Sequence, residues 1–158
     1  MKKIFASLFL ACNLAVVSAE NISIIPQPVK MEQKDGVFRL SPRMVIGYEK
    51  GLEKHAGYLQ NIIGQSTGWD LEMIEGRKKA DIMLSLSSDE IKHSEGYKLD
   101  VDNSKIVICG ADEAGVFYGI QSLLQLFPAQ IYSEKRCKGT DWSAPAVSIY
   151  AVSYTHLR

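Results

Sequence analysis

Cysteine is scarce in this sequence, three residues in 158, too few for the disulfide framework that holds many small exported domains together. Net charge is also missing: 18 Lys+Arg stand against 18 Asp+Glu. With no Lys/Arg block either, the chain has no electrostatic footprint for nucleic acid. Histidine is rare as well. His55, His93 and His156 are far apart, with no H-E-x-x-H and no Cys/His ligand spacing, so no metal site is expected. No G-x-S-x-G elbow is present. Length excludes a core plus an enzyme barrel, which needs about 250 residues. What is there, 46% hydrophobic with 23% charged residues, suits one ordinary globular domain and excludes disorder.

Residues 1–19 are expected to be a secretory signal peptide. Lys2 and Lys3 form a positive start, Ile4 to Val17 is a largely apolar run, and Val17-Ser18-Ala19 is a small-residue cleavage site. The run is too short for a membrane anchor, and nothing else in the chain has the length to span one. Cys12 lies within the run, but only eleven residues precede it and Ala19 offers the better site, so lipid anchoring there is not expected. Cleavage removes two lysines and no acids, which leaves the mature part at about −2. The protein is therefore read as exported, periplasmic or extracellular. Of the two cysteines that remain, Cys109 ends an apolar run and Cys137 lies in a charged loop. They could pair in an exported protein, but a buried free thiol at Cys109 is the simpler reading. Asn21-Ile22-Ser23 fits the glycosylation pattern, which matters only in a eukaryotic host.

Periodicity organises the rest. Ser23-Ile24-Ile25 is a short extended piece before Pro26-Gln27-Pro28, and Phe38-Arg39-Leu40 and Met44 to Tyr48 are β-rich runs. From Leu52 the period becomes helical, with Leu52, Ala56, Leu59, Ile62 and Ile63 on one side and Gly64 placed to end the helix in a left-handed cap. Strand-like runs follow at Trp69 to Ile74 and Asp81 to Leu86. Next, Tyr97, Leu99 and Val101 alternate with Lys98 and Asp100, and Asp102-Asn103-Ser104 turns the chain into the all-apolar Ile106 to Cys109, expected to be central in the sheet. A second helix begins near Asp112 and carries Val116, Ile120, Leu123, Leu124 and Phe127 as a stripe before Pro128. Gly115 and Gly119, one turn apart, point to close backbone approach, since glycine costs about 1 kcal/mol against alanine inside a helix. The expected order is three strands, helix, four strands, helix. This is an α+β fold, a largely antiparallel sheet with two helices packed on one face.

The constellations that suggest chemistry do not carry it. Cys109-Gly110-Ala111-Asp112-Glu113-Ala114-Gly115 joins strand to helix as a nucleotide loop would. However, Val116 and Phe117 stand where a Walker loop needs Lys and Ser/Thr, and the Asp112 carboxylate would repel pyrophosphate. Asp112 is read as a helix cap, with Glu113 complementing the dipole. The acid pairs Asp112-Glu113 and Asp89-Glu90 invite a glycosidase reading, but neither has aromatics or histidine around it, and both are assigned to helix or turn starts. Ser87-Ser88-Asp89 is a turn sequence, and Trp69 and Trp142 are read as core or rim. No cofactor is implied.

Several stretches together resemble the N-terminal non-catalytic domain of family 20 glycoside hydrolases, the β-N-acetylhexosaminidases. They are Ile25-Pro26-Gln27-Pro28 with Gly36 to Leu40, Glu95 to Leu99, Gly115 to Leu126, and Trp142 to Tyr150. The resemblance covers nearly all of residues 22–150, and the glycine-rich second helix is its most specific part. Family 84 hexosaminidases place a similar α+β domain before their barrel, and a stand-alone carbohydrate-binding or scaffold module is the further alternative.

The resemblance implies an exported enzyme that removes terminal N-acetylhexosamine by substrate-assisted hydrolysis, with a Glu acid/base and an Asp that orients the acetamide. Those residues belong to a barrel that follows this domain, and the family's Asp-Glu pair is not carried onto Asp112-Glu113. The expected division is thus a signal peptide at 1–19, the hexosaminidase-like domain at 20–150, and a tail at 151–158 that departs from the family pattern at a truncation. Val152 to Leu157 looks like translated sequencing adapter. Within this chain no catalytic, cofactor or metal residue is assigned. The expected partners are the missing catalytic barrel and, through it, a glycan.

Overall fold

The computed structural model describes residues 22–76 and 79–152. The signal-peptide stretch, Cys12, Asn21 and most of the tail lie outside the described residues. The chain runs β1 (Lys30–Arg39), β2 (Val45–Tyr48), α1 (Glu53–Thr67), β3 (Glu72–Glu75), β4 (Ile82–Leu86), β5 (Tyr97–Val101), β6 (Ile106–Gly110), α2 (Glu113–Leu126), a 3-10 turn at Ala129–Tyr132, and β7 (Ser143–Ala151).

The seven strands form one sheet in the order β1-β7-β5-β6-β4-β2-β3. Its β1, β7, β5 and β6 neighbours pair antiparallel, whereas the β6, β4, β2 and β3 neighbours pair parallel. The expected largely antiparallel sheet is therefore corrected to a mixed one. The reason lies in the connections. Only β5–β6 is joined by a tight turn, which forces an antiparallel hairpin, while β2 and β3 are joined through α1, the crossover that parallel neighbours require. The number of strands stays at seven, but one changes place: Ser23 to Ile25 is not a strand, and Ser143–Ala151 is.

One face of the sheet builds the core. Ile46, Ile82, Leu84, Leu99, Val101, Ile106 and Ile108 are fully buried and belong to a single cluster with Ala56, Leu59 and Ile63 of α1 and with Val116, Ile120, Leu123 and Leu124 of α2. Both helices thus pack into the same apolar layer, and Ile106 to Cys109 lies on the fourth of seven strands. The other face stays only partly covered: Lys98, Asp100, Val107 and Cys109 are half-buried. Cys109 is consequently a free thiol but not the buried one expected.

Helix ends follow local chemistry, with one correction. Asp112 caps α2, its carboxylate accepting from the Gly115 amide at 2.8 Å. Its second oxygen accepts from the Glu95 amide at 2.9 Å, at a backbone with φ 61°, so one side chain holds both the helix and the loop beside it. Gly64 does not end α1. The helix continues to Thr67, and Gly68, with φ 76°, forms the left-handed cap and donates its amide to the Gly64 carbonyl. Ser66 and Thr67 return their hydroxyls to carbonyls one turn back, which lets these polar residues sit buried.

Candidate functional site

Two surfaces stand out once the core is accounted for. The first lies on the outer side of the helices. Tyr58 of α1 and Phe117 of α2 have ring centroids 5.6 Å apart, and Phe117 and Tyr118 are 6.0 Å apart. The Gln121 amide donates to the Tyr58 hydroxyl at 3.0 Å. Phe117, Tyr118 and Tyr132 are 38%, 42% and 50% exposed. Burial, with Tyr58 close by, raises the pKa of the Tyr132 phenol. The helix spacing explains the patch: residues 116, 120, 123 and 124 face the sheet, so 117 and 118 must face away from it. Ile25, 77% exposed, is held to the same helix, its amide and carbonyl both bonded by the Gln125 side chain at 2.9 Å.

The second surface is a cleft of about 340 Å³ lined by Arg39, Leu40, Thr67, Trp69, Trp142 and residues 136–141. The ends of β1 and α1 and the loop that leads into β7 build it. The Cys137 amide donates to the Ser66 carbonyl at 2.8 Å, and the Leu40 amide donates to the Trp142 carbonyl at 2.9 Å. The loop is thereby fixed to both the helix and the sheet. Arg39 donates to both carboxylate oxygens of Asp141, at 2.7 and 2.9 Å.

The acid pairs considered from sequence stay apart. Asp112-Glu113 is a helix start, and Asp89-Glu90 lies in a turn where Glu90 meets Lys98 at 3.1 Å. His55 sits on α1, half-buried, with a buried Nδ1 that has no hydrogen-bond partner among the described residues. Among the described residues no group of His, Cys, Asp and Glu could hold a metal, and no helix is long and apolar enough to cross a membrane. Trp69 and Trp142, read singly as core or rim, turn out to share the cleft. Residues so distant in sequence carry no local signal that would pair them.

Fold and surfaces together define an α+β module built on a mixed seven-stranded sheet, with an aromatic helix face and a small cleft. The family model described as glycosyl hydrolase family 20, domain 2, matches residues 21–150, and the chain belongs to that family. It is 29% identical over 117 residues to a β-hexosaminidase of Porphyromonas gingivalis, covering 72% of this chain and 15% of that protein. A 45-residue stretch is 47% identical to a β-hexosaminidase of Vibrio vulnificus, 28% of this chain and 5% of that one. Among solved structures, a family 20 β-N-acetylhexosaminidase from Streptomyces coelicolor superposes with a TM-score of 0.74 at 25% identity, over 83% of this chain and 26% of that one. The N-acetyl-β-hexosaminidase of Streptomyces plicatus shares the fold with the same TM-score at 22% identity. The chain thus matches 15% or less of the length of these curated relatives and about a quarter of the Streptomyces structures.

Proposed function

We propose that this chain is the support domain of an exported β-N-acetylhexosaminidase that removes terminal N-acetylhexosamine from glycans or chitin fragments by substrate-assisted hydrolysis. In this proposal the catalytic barrel lies outside this polypeptide, residues 1–19 are its signal peptide, and the tail from Ala151 is foreign to the parent gene. The match to domain 2 of family 20 is the observation that carries it. The barrel rests on the aromatic helix face, because Phe117 and Tyr118 are exposed large side chains packed together beside Tyr58, with exposed Tyr132 near Tyr58 as well, and such a patch marks an interaction surface. The open face of the sheet is a poorer seat: Lys34 spans it to Asp100 and Asp102 at 3.1 Å, and Lys98 lies beside them.

Reading the source DNA past the codon for Tyr150 tests the proposal. The expected result is an open frame continuing into a barrel with an adjacent Asp-Glu pair, and an intact native gene that stops at Arg158 overturns it. The present chain is expected to leave a chromogenic N-acetylglucosaminide unhydrolysed, and turnover above the buffer blank contradicts the assignment of the acid/base pair to the barrel.

A further inference from the structure

We propose that the cleft between the end of α1 and residues 136–142 binds an anionic saccharide unit, a sugar ring bearing a sulfate or a carboxylate. The inference is independent of the docking proposal, since none of the aromatic-face residues lines this cleft.

Three cations and one carboxylate line it. Asp141 is already matched, both its oxygens lying on Arg39. Arg136 and Lys138 remain, and neither forms an ion pair among the described residues. A plainer role for Arg136 is to complement the negative end of the α1 dipole by bonding its last carbonyls. Two of those carbonyls are taken otherwise, Gly64 by the Gly68 amide and Ser66 by the Cys137 amide, and among the described residues Arg136 donates no hydrogen bond to any of them. The guanidinium therefore keeps its donors. Its aliphatic stem lies over Gly68, with Cδ 2.8 Å from the point where a side chain there would begin.

Both tryptophans of the chain line this cleft. Trp142 is buried and Trp69 half-buried, and the Trp69 amide is tied to the Thr67 hydroxyl at 3.0 Å. An indole offers a flat apolar surface with one donor at its edge. A guanidinium fork matches the two-oxygen edge of a sulfate or carboxylate. Together these are the apolar wall and the few placed polar groups of a small-molecule site, and the volume falls at the lower end of the usual range of about 300–1,000 Å³.

The test is calorimetry and tryptophan fluorescence on the 158-residue chain with four probes: N-acetylglucosamine 6-sulfate, glucuronic acid, neutral N-acetylglucosamine and inorganic sulfate. Saturable binding of one of the charged sugars is expected, about 10-fold tighter than the neutral sugar and than sulfate alone, which distinguishes the sulfate from the carboxylate form. Arg136→Gln should weaken it about 10-fold with an unchanged urea midpoint, since the residue is exposed. Trp69→Phe should weaken the sugar without affecting inorganic sulfate. The proposal is overturned by any of three results: no saturation, equal affinity for the neutral sugar or for inorganic sulfate, or unaltered binding in Arg136→Gln.

Discussion

The Cγ2 methyl of Ile108 on β6 stands 2.5 Å from the point where a side chain at Gly119 of α2 would begin. One turn earlier, the corresponding point at Gly115 falls on the backbone carbonyl oxygen of Gly96. The two glycines let α2 settle directly on β5, β6 and the loop before β5, which is why Ile120, Leu123 and Leu124 reach full burial.

Gly115→Ala and Gly119→Ala should therefore differ. Overpacking costs about 1–3 kcal/mol, and alanine returns about 1 kcal/mol of helix propensity. Ile108 can yield slightly, whereas the Gly96 carbonyl, which accepts from the Ala111 amide, cannot move without shifting the loop before β5. Urea denaturation should rank stability as wild type, then Gly119→Ala, then Gly115→Ala. The reverse order of the two variants would contradict the packing described.

Leu123 is fully buried in the central cluster. Leu123→Ala should cost about 2–5 kcal/mol, a large part of the roughly 5–15 kcal/mol that holds a typical domain together. A shift in the denaturation midpoint worth less than about 1 kcal/mol would place this residue at the periphery of the core.

Asp112 satisfies two amides, those of Gly115 and Glu95. Loss of a cap alone costs about 0.5–2 kcal/mol, so Asp112→Ala is expected at the upper end of that range. Asp112→Asn keeps an acceptor for one amide and should lose less. Equal losses in thermal melts of the two variants would argue against the double role.

Tyr97 on β5 and Ser122 on α2 share a buried hydrogen bond between their hydroxyls. Burial raises the Tyr97 phenol above its ordinary value, and the bond to Ser122 lowers it only in part. The folded state thus holds the phenolic proton more tightly than the unfolded chain does. Its contribution is fully present below the unfolded phenol value near pH 10 and is lost as pH rises above it. Alkaline melting curves should fall less steeply for Tyr97→Phe than for the wild type. Identical slopes would remove Tyr97 from the alkaline transition.

Burial also raises the Cys109 thiol, and the thiolate is the reactive form. Alkylation by iodoacetamide near pH 8, followed by peptide mass mapping, should be slower at Cys109 in the native chain than in urea. Equal rates in the two conditions would show an open, unperturbed thiol.

Local pattern was enough for much of this protein. The period of 3.6 located both helices, alternation located β5, and the Asp102 to Ser104 turn forced the β5–β6 hairpin, because each of these depends on residues close in sequence. The capping of α2 by Asp112 and the close approach at Gly115 and Gly119 were legible for the same reason, and the most specific part of the family resemblance lies on that same helix. Where α1 ends was decided beyond that range: both Gly64 and Gly68 are suitable stops, and the helix runs on because Ser66, Thr67 and the Cys137 amide satisfy its last turn. The direction of β4, β2 and β3 and the place of β7 between β1 and β5 come from pairing among strands joined by a helix or by long loops, and no single stretch encodes them. The same holds for the cleft. Trp69, Arg136 and Trp142 are brought together only when the loop after the 3-10 turn is bonded onto the end of α1, so their shared chemistry belongs to the tertiary structure alone.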